Sequence, residues 1–164
     1  MNKITYLTFS LIFLMFLNGC AEYKPIFDST NLQFNIKNYL IEGDKVSGKK
    51  IYTKLFNISK THKKNPDAKD IDLLINISKD KNSTSKDSSG KILEYRITLN
   101  TYIKVKDFLT EKQILNQTFS HSLTYKTQDR YYETVKLEKK SVESLIEITF
   151  RDLLIKLTQN IVGQ

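Results

Sequence analysis

The sequence predicts an α+β fold, a two-layer sandwich in which two helices cover one face of a four-stranded sheet in the order β-α-β-β-β-α. In four segments apolar residues alternate with polar ones, which is the period of a half-buried strand. In two other segments apolar residues recur at steps of three and four, which is the period of an amphipathic helix. Since such helices bury their apolar stripe against the apolar face of a sheet, two layers follow.

The first strand and helix are predicted within residues 32–62. The alternating apolar positions of the strand are Leu32, Phe34 and Ile36. Asp44 or Ser47 caps a helix over about residues 45–62, and Pro66 ends it because proline disfavours helical geometry in the residue before it. The apolar face of this helix is expected to contain Val46, Ile51, Leu55 and Ile58.

Three further strands are predicted at residues 71–77, 93–105 and 113–127. Residues 80–90 contain no apolar side chain, so we expect a long mobile loop or the tip of a hairpin there. The sheet face away from the helices is expected to be partly polar. The side chains expected on it are Lys37, Arg96, Thr98, Asn100 and Lys104.

The strongest helical pattern follows Tyr131-Tyr132 and continues nearly to the end of the chain. Its apolar positions are Val142, Leu145, Ile146, Phe150, Leu153, Leu157 and Ile161. Glu143 and Glu147 are expected to support this helix by pairing with Arg151 on its exposed side.

The first twenty residues have the form of a bacterial lipoprotein signal. Lys3 precedes an apolar run over residues 4–16, and Gly19 stands directly before Cys20, the chain's single cysteine. The run is too short to span a bilayer comfortably, and the remaining alternative is an ordinary signal peptide with an incidental cysteine. We predict residues 1–19 as a signal peptide, 20–31 as a lipidated tether attached through Cys20, and 32–164 as a single α+β domain.

Composition narrows the function further. The chain has 26 Lys and Arg against 18 Asp and Glu, a formal net charge of +8. For an exported protein the anionic partners are phospholipid head groups, lipopolysaccharide phosphates and peptidoglycan rather than nucleic acid, and the alternative is that the excess charge only keeps the protein soluble. One cysteine excludes an intramolecular disulfide.

The sequence motifs of catalysis and metal binding are missing. There is no glycine-rich phosphate loop, no HExxH and no Gly-x-Ser-x-Gly, and His62 and His121 fall in different predicted elements. We therefore expect no metal, no cofactor and no enzymatic activity. A hydrolase depending on His121 or Asp72 is the least favoured hypothesis.

Two stretches and the order of the elements carry a resemblance to a known family. The stretches are Cys20-Ala21-Glu22-Tyr23-Lys24-Pro25-Ile26-Phe27 and Tyr95-Arg96-Ile97-Thr98-Leu99. With the lipobox, a tyrosine-rich turn and a long last helix, they resemble the LptE family of lipopolysaccharide-assembly lipoproteins. The chain departs from the family at Ala21-Glu22, where many relatives have a shorter glycine–aromatic link.

The resemblance implies a lipoprotein of the outer membrane that plugs and helps to assemble the LptD barrel and contacts lipopolysaccharide in transport. The residue after Cys20 is Ala21 and not the aspartate that signals inner-membrane retention. The candidate lipopolysaccharide contacts are Lys86, Lys91, Arg96, Lys126 and Arg130, and the alternative for each is a solvated surface cation. The competing function is a periplasm-facing adaptor that binds or activates another envelope protein, such as a cell-wall synthase.

Overall fold

The computed structural model describes residues 32–61 and 68–162, which form six elements in the predicted order. These are β1 (Phe34–Gly43), α1 (Lys45–Thr61), β2 (Lys69–Lys86), β3 (Ile92–Asp107), β4 (Gln113–Lys126) and α2 (Tyr131–Val162). The predicted β-α-β-β-β-α arrangement is confirmed. The predicted signal peptide, Cys20, the tether and Pro66 lie outside the described residues.

The strands form a single sheet in the order β1-β2-β3-β4. β1 pairs with β2 in parallel, and the other two pairings are antiparallel. A parallel pair needs a crossover connection, which α1 supplies. Because β1 and β2 run in the same direction, the described chain enters the sheet at Phe34, beside Lys69 and at the end opposite the β2–β3 turn.

The core lies between one face of the sheet and the two helices. Alternate residues of β2 and β3 point into it and their neighbours point away, as the period of a strand requires. Its largest fully buried side chains are Phe34, Leu32, Ile51, Leu55, Ile71, Ile75, Ile77, Ile97, Leu99, Ile103, Leu145 and Ile146. Both helices cover the same face. The other face, here called the open face, is covered by no helix or strand among the described residues.

Asp44 caps the first helix, as one of the two predicted candidates. Its Oδ1 accepts hydrogen bonds from the backbone N–H groups of Val46 (3.1 Å) and Ser47 (3.3 Å). Ser47, Ile51 and Leu55 face the core, whereas Val46 is 69% exposed. The prediction that Val46 belongs to the apolar face is wrong. A helix turns by about 100° per residue, and this places Val46 on a different side from Ser47, Ile51 and Leu55.

The turn from β1 into α1 requires glycine. Gly43 has a φ of +71°, and a Cβ added to it would lie 2.0 Å from the carbonyl oxygen of Ile77. The next residue, Asp44, donates its backbone N–H to that same oxygen at 2.8 Å. The strand therefore passes so close to its neighbour that no side chain fits at this point.

The polar stretch at residues 80–90 is mostly strand, so the prediction of a long mobile loop is wrong. β2 continues to Lys86, with Asp80 opposite Thr98 and Asn82 opposite Arg96, and residues 87–91 alone make the turn to β3. Backbone hydrogen bonds to an adjacent strand hold these residues whatever their side chains. The alternative expectation of a hairpin tip in this region is confirmed.

Ion pairs bridge the two helices. Glu143 pairs with Lys50, and one turn later Glu147 pairs with Lys54 at 2.6 Å. The predicted support from Arg151 within α2 is wrong, because the two carboxylates turn to α1 instead. The matching order of the two pairs means that α1 and α2 run side by side in the same direction.

Candidate functional site

A tight turn between β2 and β3 forms the end of the sheet at which the site lies. Oδ1 of Asp87 accepts hydrogen bonds from the backbone N–H groups of Ser89 and Lys91, both at 2.9 Å, and from the Ser89 hydroxyl at 2.7 Å. The hydroxyl hydrogen bond contributes most to a pKa of Asp87 below its usual range. Gly90 completes the turn with a φ of +86°.

The structure brings all five predicted lipopolysaccharide contacts to this end of the molecule. Lys86 is the last residue of β2, Lys91 directly precedes β3, and Lys126 ends β4. Arg130 directly precedes α2. Arg96 lies on β3, opposite Asn82 and near this end of the strand. The pairing of the three strands, which the sequence alone does not determine, places them together.

The five cations of this end form no direct ion pair with the described carboxylates near them. Within residues 32–61 and 68–162, none of the five forms an ion pair. Two nearby acidic side chains have other partners: Asp87 holds the turn, and Glu94, opposite Lys126, accepts a hydrogen bond from the Thr84 hydroxyl at 2.7 Å. Both carboxylates keep their charge, and Asp87 interacts electrostatically with Lys91, but the five cations outnumber these two and remain available to an anionic ligand.

Exposed apolar and aromatic side chains accompany the cations. Tyr131 is 83% exposed, Tyr132 62% and Leu93 41%. Sequence reasoning missed them as site residues, although two adjacent tyrosines directly after Arg130 were a visible signal. Tyrosine presents an apolar ring with a polar hydroxyl, and combined with lysine and arginine it suits a ligand that has both anionic and apolar parts.

A polar cluster ties this part of the hairpin to the start of α2. Nζ of Lys81 lies 2.6 Å from Oε2 of Glu138 and 4.2 Å from the centroid of the Tyr95 ring. The Tyr125 hydroxyl donates to the same carboxylate oxygen at 3.2 Å. We call Lys81, Glu138, Tyr95 and Tyr125 the hairpin clamp.

The pKa directions in the hairpin clamp follow from these contacts. Partial burial disfavours the Lys81 ammonium, but its hydrogen bonds to Glu138 and Tyr125 outweigh that effect and raise its pKa. The hydrogen bond from Lys81 lowers the pKa of Glu138, and burial raises the pKa of the Tyr125 hydroxyl. The clamp is therefore an ion pair at neutral pH, with a neutral phenol beside it.

The open face of the sheet is partly polar, as the sequence predicted, with Leu40, Leu74 and Tyr102 among its polar residues. Asn100 donates to Asp80 at 3.3 Å and accepts from the Ser120 hydroxyl at 2.6 Å, so one hydrogen-bonded row crosses three strands. Thr98 and Ser122 are joined at 2.8 Å in the next row. Lys37 lies on this face too, 3.3 Å from Asp70. Such a surface is compatible with water or with a hydrated ligand.

The residues of the hydrolase hypothesis lie on opposite faces of the sheet. His121 faces α2, where its Nε2 lies 3.2 Å from Asp152 without the alignment of a hydrogen bond. Asp72 lies on the open face and accepts a hydrogen bond from Asn38 at 3.0 Å. The two side chains cannot act on one substrate. Within the described ranges, no three His, Cys, Asp or Glu side chains lie close enough to hold a metal ion together.

Solved structures show a similar fold. A minor lipoprotein from Acinetobacter baumannii matches with a TM-score of 0.56 at 10% identity, covering 79% of this chain and 92% of that one. A candidate lipoprotein from Caulobacter crescentus CB15 matches with a TM-score of 0.55 at 13% identity, over 78% and 90% of the two chains. An uncharacterized lipoprotein B from Nitrosomonas europaea matches with a TM-score of 0.51 at 13% identity, over 77% and 85%.

These likenesses establish the fold of the chain and nothing finer. No protein-family model matches the chain, and no curated protein is significantly similar to it in sequence. None of the described helices is long and apolar enough to cross a membrane. The basic and aromatic end of the sheet is the described feature that bears most directly on function.

Proposed function

We propose that this protein is an outer-membrane lipoprotein of the LptE type, which assists assembly of an LptD-like barrel, plugs its lumen and contacts lipopolysaccharide on its way to the cell surface. The observation that carries the proposal is the gathering of five cations with exposed aromatic residues at one end of the sheet. We call this surface the hairpin end, and it comprises Lys86, Lys91, Arg96, Lys126, Arg130, Leu93, Tyr131 and Tyr132.

The chemistry of the hairpin end suits lipopolysaccharide. Phosphates accept charge-assisted hydrogen bonds from lysine and arginine, and arginine makes two such bonds in parallel. The exposed rings and Leu93 offer contact area to the apolar part of the same molecule. A ligand with phosphates alone would leave the apolar residues of this end without a partner.

The elongated sheet of the domain is compatible with a position inside a wide barrel. β3 contains 16 residues and is about 50 Å long at about 3.3 Å per residue. The described chain enters the sheet at the end opposite the hairpin end. The predicted anchor at Cys20 precedes that point, so the hairpin end can be directed away from the lipid leaflet, and the polar residues of the open face can meet the water-filled lumen.

Two measurements on one preparation test the proposal. The tagged full-length protein is purified from detergent-solubilised outer membranes, and co-purifying proteins and lipopolysaccharide phosphate are quantified. We expect a large LptD-type barrel in about equal amounts, together with lipopolysaccharide. Recovery of the protein alone, under conditions that preserve other barrel complexes, would refute the barrel assignment.

A matched pair of variants tests the hairpin end. Neutralising Lys86, Lys91, Lys126 and Arg130 to glutamine should lower the bound lipopolysaccharide several-fold, because phosphate contacts depend on charge. The control variant neutralises four cations at the opposite end of the molecule and should retain the bound lipopolysaccharide. These are Lys104, Lys106, Lys112 and Lys156. Equal losses in both variants would mean that net charge, and not this site, attracts the ligand.

The purification also separates the competing function. A cell-wall synthase or another peptidoglycan enzyme as the stoichiometric partner, with no barrel, would assign the protein to the adaptors. In that case lipopolysaccharide retention should be insensitive to the hairpin-end substitutions.

A further inference from the structure

The first helix has an unusual charge composition. α1 contains no acidic residue, and it has five lysines. They are Lys45, Lys49, Lys50, Lys54 and Lys60. A surface helix in a soluble domain ordinarily mixes both signs on its exposed side, so this distribution needs a physical reason.

A groove runs between α1 and α2 on the outer side of the helix layer. It has a volume of about 690 Å³, is open to solvent along its length, and is lined by both helices. Its lining includes Lys45, Val46, Lys49 and Thr53 from α1, with the ion pairs to Glu143 and Glu147 along its floor. This surface, the helix groove, shares no residue with the hairpin end.

The ion pairs neutralise only part of the charge in the helix groove. Lys50 and Lys54 are paired with the glutamates of α2. In the part of the chain that the structure describes, neither Lys45 nor Lys49 forms an ion pair. Val46 lies between them in sequence and is 69% exposed. The groove therefore offers two free ammonium groups, one helical turn apart, beside an exposed aliphatic side chain.

Lys45 lies where the helix itself disfavours a cation. The amino-terminal end of a helix has a partial positive charge, which favours acidic residues and disfavours cations. Lys45 is the first residue of α1, and the first turn contains no acidic residue. The Asp44 cap places one carboxylate directly before it, and an anionic group from outside the described chain would add to that compensation.

We propose that the helix groove binds an acidic, amphipathic segment of a partner protein. Carboxylates spaced one helical turn apart on that segment would pair with Lys45 and Lys49, and an apolar side chain between them would cover Val46. Charge complementarity selects the acidic class. The open shape selects a polypeptide over an acyl chain, because a groove open to solvent along its length would leave a hydrocarbon chain in contact with water, whereas an amphipathic segment turns only its apolar side to the aliphatic lining. This proposal goes beyond the contact with lipopolysaccharide and does not depend on it.

Peptide binding to the full-length protein in detergent micelles tests the proposal. The probe is a fluorescein-labelled helical peptide of about fifteen residues, with glutamates at i and i+4 and leucines on the same face. A reference peptide has lysine in place of each glutamate. Fluorescence anisotropy should report saturable binding of the acidic peptide that weakens with salt, and no binding of the basic one.

Two charge-reversed proteins with the same net charge make the result specific. Lys45→Glu with Lys49→Glu should raise the Kd at least tenfold, whereas Lys112→Glu with Lys156→Glu, outside the groove, should change it by about twofold or less. Glutamates at a helix start suit the helix, so the groove variant should fold, which circular dichroism and its thermal midpoint verify. Wild-type affinity in the groove variant, or an equal loss in both variants, would overturn the proposal.

A photo-cross-linker at Val46 identifies the occupant in cells. Val46→p-benzoylphenylalanine in the full-length chain should yield a cross-linked polypeptide whose attached tryptic fragment is acidic. The same cross-link should disappear when Lys45→Glu and Lys49→Glu are added. Cross-links to phospholipid alone, to a basic or neutral fragment, or to no molecule would each contradict the proposal.

Discussion

Breaking the hairpin clamp should loosen the part of the hairpin that positions the candidate site. Lys81 and Glu138 are joined at 2.6 Å, with their side chains 36% and 25% exposed. Exposed ion pairs contribute about 0.2–1 kcal/mol, and a cation over an aromatic ring at a similarly exposed place contributes about 0.5–1 kcal/mol. Lys81→Met removes both contacts, so we expect a loss of about 1–2 kcal/mol in the free energy of unfolding.

A double-mutant cycle in urea isolates the ion pair. Lys81→Met, Glu138→Gln and the double variant should give a coupling of about 0.5–1 kcal/mol, since the pair is only partly screened by solvent. Lys37→Met with Asp70→Asn provides a matched control, because that pair is longer at 3.3 Å and its lysine is 47% exposed. Its coupling should be smaller. A clamp coupling no larger than that of the control would refute the reasoning.

The pKa shifts determine the pH range in which the clamp acts. The pKa of Glu138 is lowered from 4.5 by Lys81, so its stabilisation is present above about pH 4.5 and is lost as the pH falls through the lower native pKa. The pKa of Lys81 is raised from 10.5, so its stabilisation is present below about pH 10.5 and is lost above the higher native pKa. The stability difference between wild type and Glu138→Gln should therefore shrink on acidification below about pH 4.5. A difference that does not change with pH would contradict this account.

Three further substitutions test the fold and the anchor. Leu145→Ala should lower the free energy of unfolding in urea by about 2–5 kcal/mol, because Leu145 is 0% exposed. Phe150→Ala, at a partly buried position, should lower it by less than full burial implies. The reverse order of the two losses would mean that α2 is rotated about its axis. Gly43→Ala should prevent stable folding or lower the thermal midpoint by many degrees, since its Cβ would lie 2.0 Å from the carbonyl oxygen of Ile77; a variant as stable as wild type would refute the close approach. Cys20→Ala should release the protein from the membrane or leave an uncleaved precursor on a gel, and normal processing with unchanged membrane association would contradict the lipobox prediction.

The candidate site was predictable in part. Arg96, Lys126 and Arg130 were predicted near strand ends, because strand ends can be read from local periodicity, whereas Lys86 and Lys91 were predicted in and beside a long loop. Their meeting at one end depends on which strands pair and in what register, which involves residues far apart in the chain. The sequence did not predict Tyr131 as a ligand contact, since the exposure of its side chain depends on how α2 packs against the sheet.

The helix groove was not predictable for the same reason. The lysines of α1 and the glutamates of α2 are visible in the sequence, but intrahelical pairing with Arg151 was the local expectation for Glu147. Only the side-by-side packing of the two helices directs Glu147 to Lys54, and among the described residues it leaves Lys45 and Lys49 without an ion pair.

The sequence by itself determined the order and kind of the six elements and the alternation of core and open-face residues, and it narrowed the helix cap to Asp44 or Ser47, because periods of 2 and 3.6 residues and capping preferences are local properties of the chain. The tertiary structure decided the features that local periodicity does not specify. It extended β2 to Lys86 through backbone pairing with β3, turned Lys81 toward Glu138, and turned Val46 out of the core into the helix groove. Each of these outcomes depends on contacts between elements distant in sequence, and those contacts also assemble the hairpin end from three strands and a helix.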